Sequence, residues 1–250
     1  MGFFWVLMMK NNILNKLLDL FFVKKCVSCR EAISYDSVEG LCEDCLPKWK
    51  KEKSEICPQC LKMQTKCTCG FGRSALDGVR HLATYSHDDE NCVARGIVYA
   101  LKNSNDSYVF EFVAKELSDN IIGKTALENT VIVNVPRNPR TVSEIGYDHA
   151  KRLAEKISLI TGIRYADVLG QKKNKKAQKM LNSVQRTENA KKNFYYKSDT
   201  KENINGCNVI LVDDIGTTGA SLKVCAELLK NNGAKSVRGV LVAKNKYKKT

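Results

Sequence analysis

Residues 209–221 read Val-Ile-Leu-Val-Asp-Asp-Ile-Gly-Thr-Thr-Gly-Ala-Ser and restrict the fold more than any other stretch of the chain. Four apolar β-formers run into two adjacent acids, Asp213 and Asp214, and then into a loop of Gly, Thr and Ser. After the loop, Leu222, Cys225, Ala226 and Leu229 repeat at helical spacing. A buried strand, a tight loop and a helix in that order belong to an α/β fold. The acids then stand at the carboxyl end of the strand, in the crevice where open α/β sheets bind ligands. Loop N–H groups, the hydroxyls of Thr217, Thr218 and Ser221, and the positive end of the helix dipole suit a phosphate. Adjacent carboxylates are costly unless hydroxyls or a cation meet them. Asp213 and Asp214 therefore point to sugar hydroxyls next to that phosphate.

The pattern continues on either side. Val79 to Tyr85 reads as a strand and Asn91 to Leu101 as a helix. Asp106 caps a second helix with Val109, Phe112, Val113, Leu117 and Ile121 on its buried face. Thr130 to Val135 is a β-branched strand stopped by Pro136, residues 148–160 are helical, Ala166 to Leu169 read as a short strand, and a last strand runs from Val237 to Ala243. Strands separated by helices of this length argue for a parallel, doubly wound sheet.

Eight of eleven cysteines fall between residues 26 and 69 in four close pairs: Cys26/Cys29, Cys42/Cys45, Cys57/Cys60 and Cys67/Cys69. Two thiolates separated by a tight turn can share one tetrahedral zinc, and two such turns close a site. Sequential pairing gives one zinc on Cys26, Cys29, Cys42 and Cys45. A second falls on Cys57, Cys60, Cys67 and Cys69, where the Cys-x-Cys spacing is tighter than usual. With no histidine among the pairs, the reading is structural zinc, one ion or two. Residues 26–72 carry too few large apolar groups to fold without metal. Cys92, Cys207 and Cys225 are isolated and read as small core residues.

The chain carries 41 basic and 27 acidic residues, a net charge of +14. That excess favours polyanionic partners, nucleic acid among them. Residues 172–197 hold nine basic groups (Lys172, Lys173, Lys175, Lys176, Lys179, Arg186, Lys191, Lys192, Lys197) against the single acid Glu188. The strip reads as a mobile lid, a DNA-binding surface or a solvated charge run. The apolar run Phe3–Met9 is far shorter than the ~20 residues of a membrane span and lacks the flanks of a signal peptide. Residues 13–22 repeat as a short amphipathic helix expected to pack on the protein itself. These features predict a cytoplasmic protein with three parts: an N-terminal helix (1–25), a zinc ribbon (26–72) and an α/β domain (76–250).

Residues 209–221 closely resemble the phosphoribosyl pyrophosphate (PRPP) signature of type I phosphoribosyltransferases. The resemblance implies that Asp213 and Asp214 hold the ribose hydroxyls, and that Ile215, Gly216, Thr217, Thr218, Gly219, Ala220 and Ser221 wrap the 5′-phosphate. Further segments precede it in order: Tyr99-Ala-Leu-Lys102, Val135-Pro136-Arg137, Gly146-Tyr147-Asp148-His149-Ala150 and Arg186-Thr-Glu-Asn189. With the cysteine pairs in front, the layout is similar to the ComF family (ComFC, amidophosphoribosyltransferase-like proteins). That family joins a zinc ribbon to a type I phosphoribosyltransferase domain and is linked to DNA uptake in competent bacteria. The expected fold is thus a type I phosphoribosyltransferase-like parallel sheet flanked by helices, with a small double zinc ribbon in front.

The resemblance implies Mg²⁺ as the companion of PRPP and a competence helicase as a partner. The chemistry of PRPP transfer makes Lys102, Arg137 and Arg140 candidate cations for the leaving pyrophosphate, with Lys102 reading equally as a helix C-terminal cation. The basic strip makes single-stranded DNA a candidate partner. One block departs from the family. Its usual Arg-Gly-Phe-Asn-Gln stands here as Ile145-Gly146-Tyr147-Asp148-His149. An arginine contact to pyrophosphate lost in this way is worth on the order of 1.5–3 kcal/mol. Two readings follow: a Mg²⁺-dependent transferase with an unassigned acceptor, or a silent PRPP- or nucleotide-binding module whose ribbon and basic strip serve DNA uptake. His149 is the only histidine in a motif-like setting; His81 and His87 read as incidental, and no general base is assigned.

Overall fold

In the computed structural model the described residues are 23–34, 37, 39–57, 61–63, 66–67, 75–85, 89–122, 128–173, 183–216 and 219–245. The expected N-terminal helix at 13–22 lies outside them. So do Cys60, Cys69, His87, Thr217, Thr218, Lys175, Lys176, Lys179 and the side chains of Ile121 and Arg186.

The first described elements are a short antiparallel pair, β1 (Lys24–Lys25) and β2 (Ala32–Ile33), and helix α1 (Cys45–Ser54). The α/β part follows with β3 (Gly78–Tyr85), α2 (Val93–Asn103), α3 (Ser107–Leu117) continuing into a π-helical segment at Ser118–Ile122, and β4 (Thr130–Asn134). Next come α4 (Pro139–Ile145), α5 (His149–Thr161), β5 (Arg164–Tyr165), β6 (Leu169–Gln171), α6 (Ser183–Asn193) and β7 (Phe194–Tyr196). The chain closes with β8 (Asn208–Gly216), α7 (Ala220–Asn231) and β9 (Ser236–Asn245).

The five main strands pair in the order β3-β9-β8-β4-β5, and every pairing is parallel. From β4 the chain steps outward to β5, whereas from β8 it steps the other way to β9. The reversal lies between β4 and β8, whose carboxyl ends are neighbours through Asn134 and Val212. That topological switch point is the expected ligand crevice of such a sheet. The antiparallel pair β6–β7 with α6 forms a separate small layer beside α7.

Helix ends follow the local sequence. Asp106 accepts from the Tyr108 N–H, Asn138 from the Arg140 N–H, and Asp148 from the Ala150 and Lys151 N–H groups. Each such cap is worth about 1 kcal/mol. Asn138 at the cap and Pro139 in the first turn are the local signals that start α4. One expectation is corrected: residues 166–168 are not a strand. The Ala166 N–H bonds the Ile132 carbonyl at 2.9 Å, but the ladder with β4 stops at Tyr165, and the next strand, β6 at Leu169, pairs with β7 in a separate sheet. On α3, Phe110 lies in the core, while Phe112 is half-buried against Gly40.

Two apolar layers cover the sheet. On one face α7 and the β6–β7 layer bury Val209, Leu211, Leu222 and Leu229. On the other, α2, α3 and α5 bury Ile210, Val212, Ile97 and Leu153, and the cysteine segment joins this same core through Cys26, Val27, Leu41, Cys45 and Trp49. Trp49 is 1% exposed, and its indole N–H donates to Glu116 at 2.8 Å. Glu52 of α1 caps α2 from outside, accepting from the Val93 and Ala94 N–H groups at 2.7 and 2.9 Å. Gly96 lets Ser28 approach α2 closely: a Cβ there would lie 2.6 Å from the Ser28 carbonyl oxygen. The isolated cysteines Cys92, Cys207 and Cys225 are all buried core residues.

His81 is buried on β3, and burial followed by the Lys244 charge lowers its pKa from 6.5 to about 4. A lowered folded-state pKa means that the unfolded chain binds the proton first as pH falls. Stability is therefore full above pH 6.5 and is lost progressively between pH 6.5 and 4, by roughly 3 kcal/mol at the limit. Urea unfolding of wild type and His81→Gln across this window checks it; parallel pH profiles would contradict it.

Candidate functional site

Strand β8 delivers Asp213 and Asp214 to the switch point, and the Val135 N–H bonds the Val212 carbonyl at 2.9 Å just below them. The turn after the acids starts tightly: Asp213 Oδ1 accepts from the Asp214 N–H at 2.8 Å, and Asp214 Oδ1 accepts from the Ile215 N–H at 2.7 Å. Gly219 is the cap residue of α7. Its φ of 71° is a left-handed conformation that costs a side-chain-bearing residue about 1–2 kcal/mol. As glycine, it also offers no side chain to cover the helix N-terminus.

Asp214 is buried between two nitrogens. Lys102 Nζ, from the last turn of α2, lies 3.0 Å from its Oδ2, and His149 Nε2, from the first turn of α5, lies 3.1 Å away. Burial alone would raise its pKa, but His149 and then Lys102 outweigh it and hold this carboxyl well below the usual range. Asp213 differs: burial and the neighbouring Asp214 charge push it well above its ordinary value. The two acids are thus electrostatically unequal, one fixed as a carboxylate and one biased toward holding a proton.

Arg137, just past the end of β4, turns inward. Its Nη1 lies 2.8 Å from His149 Nδ1, and its backbone N–H donates to Asp148 at 2.9 Å. Arg140 lies on the exposed side of α4, paired with Glu144 at 2.8 Å. The block that departs from the family pattern is therefore well integrated: Asp148 caps α5, Tyr147 donates its hydroxyl to the Leu101 carbonyl at 3.0 Å, and His149 faces Asp214. This role of the block had no signal in the sequence, because it depends on α2, α5 and β8 meeting in space.

A cavity of about 200 Å³ opens beside Asp213, bounded by Gln171, Asn189, Asn193, Phe194, Asp213 and Ser221. Asn193 Nδ2 donates to Asn189 Oδ1 at 2.9 Å. Of these wall residues from β6, α6 and β7, Asn189, Asn193 and Phe194 fall in the basic strip at 172–197, whereas Gln171 lies just before it. Among the described cations of the basic strip, Lys197 pairs with Asp167 at 2.6 Å, whereas Lys172, Lys173, Lys191 and Lys192 are exposed.

The ligand atoms of His149, Asp213 and Asp214 lie within 4.8 Å of one another, a spacing compatible with a metal ion. Their chemistry does not fit one. Arginine can only donate, so Nδ1 of His149 is the acceptor and the ring proton sits on Nε2, toward Asp214. That edge presents a proton rather than a lone pair, and Lys102 already supplies positive charge. Mg²⁺ typically relies on substrate phosphates for much of its coordination, and these residues do not build a cage for it by themselves.

The cysteine cluster does fit zinc. The sulfurs of Cys26, Cys29, Cys42 and Cys45 lie within 4.8 Å of one another, and Cys29 and Cys42 are 3.6 Å apart. A zinc–sulfur bond of about 2.3 Å gives a tetrahedral edge near 3.8 Å. Burial raises the Cys26 thiol, but N–H groups of Cys42, Cys29 and Ser28 outweigh it and bring the pKa to about 7. Cys45 is pushed far up by burial and its sulfur neighbours. Crowding of this kind is relieved by a divalent cation.

The first knuckle has a backbone signature: Cys26 N–H to Glu31 carbonyl at 2.7 Å, Arg30 N–H to Cys26 carbonyl at 3.0 Å, and a left-handed Arg30 at φ 68°. Cys57 repeats it, with bonds to and from Lys62 and Leu61 at 2.8 and 2.9 Å and Leu61 at φ 56°. Cys57 and Cys67 are both buried.

Residues 103–250 match the phosphoribosyl transferase domain family, and the chain belongs to that family. More particularly, it is similar to competence protein ComFC of Streptococcus pneumoniae, 28% identical over 201 residues covering 79% of this chain and 84% of that protein. Competence protein ComFC of Bacillus subtilis is 26% identical over 204 residues, covering 78% and 80%. Among solved structures, orotate phosphoribosyltransferase from Aeropyrum pernix matches with a TM-score of 0.35 and 18% identity, over 56% of this chain and 63% of that one. No helix among the described residues is long and apolar enough to cross a membrane.

Proposed function

We propose that the protein binds PRPP at the β4–β8 switch point and transfers its phosphoribosyl group to an acceptor not yet assigned. The observation that carries this reading is the placement of the adjacent acids Asp213 and Asp214 at the carboxyl end of β8, at the switch point and just ahead of α7. In this reading the ionised Asp214 accepts a ribose hydroxyl, and Asp213 takes the neighbouring one. Residues 215–221 and the α7 N-terminus hold the 5′-phosphate. Pyrophosphate leaves C1 as a nucleophile approaches the opposite face, so positive charge grows on the ribose and negative charge on the leaving group. The carboxylates and Lys102 are fixed before reaction, which is how charge development is stabilised without reorganisation. Mg²⁺ bound together with PRPP would supply further positive charge for the leaving pyrophosphate, while Lys102 holds its own charge at the site.

Arg137 contributes cationic charge at the same end of the sheet, although Nη1 is already engaged with His149. Structural zinc on Cys26, Cys29, Cys42 and Cys45 holds the ribbon. A second zinc on Cys57, Cys60, Cys67 and Cys69 is supported by the repeated knuckle backbone. A role in competence is supported by the similarity to competence protein ComFC; a cytoplasmic location and a helicase partner are parts of this proposal.

A second reading is favoured by the exposed Lys172, Lys173 and Lys192. Here the chain is a silent PRPP-binding module whose basic strip and ribbon contact single-stranded DNA. Purified protein with PRPP, Mg²⁺ and pooled nucleobases separates the two. Pyrophosphate release supports transfer, while tight PRPP binding without release supports the module. DNA affinity that does not weaken with salt would remove the polyanion argument.

A further inference from the structure

Resting on PRPP binding as proposed above, we infer that His149 is the positioning residue of the ribose site: held by Arg137 on one ring edge, it keeps its Nε2 edge 3.1 Å from Asp214 Oδ2. Three observations converge. His149 is 6% exposed, so its ring has no room to turn toward water. Its Nδ1 meets a guanidinium nitrogen at 2.8 Å, and since that nitrogen can only donate, one ring tautomer is selected. Its Nε2, carrying the remaining proton, lies 3.1 Å from Asp214 Oδ2. Arg137 thus acts on Asp214 at one remove, through the imidazole. Its own backbone is pinned by Asp148, which also caps the helix that starts at His149. Tyr147 braces the other side of the site through the Leu101 carbonyl, next to Lys102. The block at 147–149 therefore orients the ribose acid from two directions without itself needing to touch PRPP.

The role separates from direct phosphate binding by choice of probe. Ribose 5-phosphate has no pyrophosphate, so any effect of Arg137 on its affinity must pass through His149 or the fold. Calorimetry with ribose 5-phosphate is expected to show a loss of roughly 10–100-fold for His149→Leu, as for a hydrogen bond to a charged group. His149→Gln, whose amide can accept from Arg137 and donate to Asp214, should stay within about threefold of wild type. Arg137→Met should weaken ribose 5-phosphate in the wild-type background and have little further effect in His149→Leu, the non-additivity of two residues acting in series.

Nitrogen-15 NMR of the imidazole reads the tautomer directly: Nε2–H in wild type, and a mixture in Arg137→Met. Additive losses, an undiminished affinity in His149→Leu, or an Nδ1–H tautomer in wild type would each overturn the inference. If wild-type protein binds neither PRPP nor ribose 5-phosphate, the underlying functional reading fails instead.

Discussion

Asp213→Ala combined with Asp214→Ala removes PRPP binding while the α/β core stays folded. One hydrogen bond to the ionised Asp214, worth about 1.5–3 kcal/mol, and one to Asp213, worth about 0.5–1.5 kcal/mol, correspond to a loss of roughly 30–2,000-fold. The fold should not suffer in proportion. Asp213 is held well above its ordinary carboxyl pKa by burial and by Asp214. A raised folded-state pKa means that ionising this group opposes folding as pH rises past the unfolded value of 3.8. Removing it relieves that cost at neutral pH. Lys102, left without Asp214, is 36% exposed at its side chain and can hydrate. Thermal unfolding at pH 7 is thus expected near the wild-type midpoint for the double variant and above it for Asp213→Asn. Sites shaped for a ligand commonly carry such destabilising groups. A double variant that binds PRPP as wild type does would refute the placement of the ribose.

Removal of the first zinc is expected to have a comparably large effect, and on the ligand site as well as the ribbon. Cys26, Val27, Leu41, Cys45 and Trp49 share one continuous core with Leu82, Ile97 and Leu101. Structural zinc in finger peptides contributes about 10–16 kcal/mol of apparent binding energy, against a net domain stability of about 5–15 kcal/mol. Without metal, the knuckle that seats Ser28 on Gly96 loosens, and so does the Glu52 cap on α2. Helix α2 carries Lys102 at its far end. Chelator-treated protein, or Cys42→Ser, should therefore melt earlier, exchange the α2 amides faster and bind PRPP more weakly. An unchanged melt and unchanged affinity in protein shown to be metal-free would contradict the coupling. Metal analysis of untreated protein should give two zincs per chain; one would remove the second site.

The parts of the molecule that repeat a local pattern were readable in the sequence. The β8 strand, its acid pair and α7 announce themselves because a strand period, two charges and a helical period are consecutive in the chain. Cysteine spacing likewise reports its own turn geometry. Asp106 and Asp148 mark helix starts through hydrogen bonds made two or three residues away.

What the sequence left hidden depends on separate segments meeting. His149 was known only as a substitution in a family block. Its meaning comes from Arg137, twelve residues earlier, and Asp214, on a different element. The cavity wall of Gln171, Asn193 and Phe194 is drawn from two three-residue strands, β6 and β7, and from α6, a mostly polar helix without a strong apolar stripe. Residues 166–168 were misread as a strand because burial of Ala166 and Val168 resembles strand alternation, although no ladder is formed there. The ribbon's shared core with α2 was likewise invisible, since composition describes how much can be buried and not against what.

The most direct test is calorimetric titration of PRPP with Mg²⁺ into zinc-replete protein, wild type and Asp213→Ala/Asp214→Ala side by side. The structure predicts saturable one-site binding to the wild type and none to the variant, with both proteins folded by circular dichroism. Absence of PRPP binding by the wild type, or equal binding by both, would contradict the claim that the end of β8 is a phosphoribosyl site.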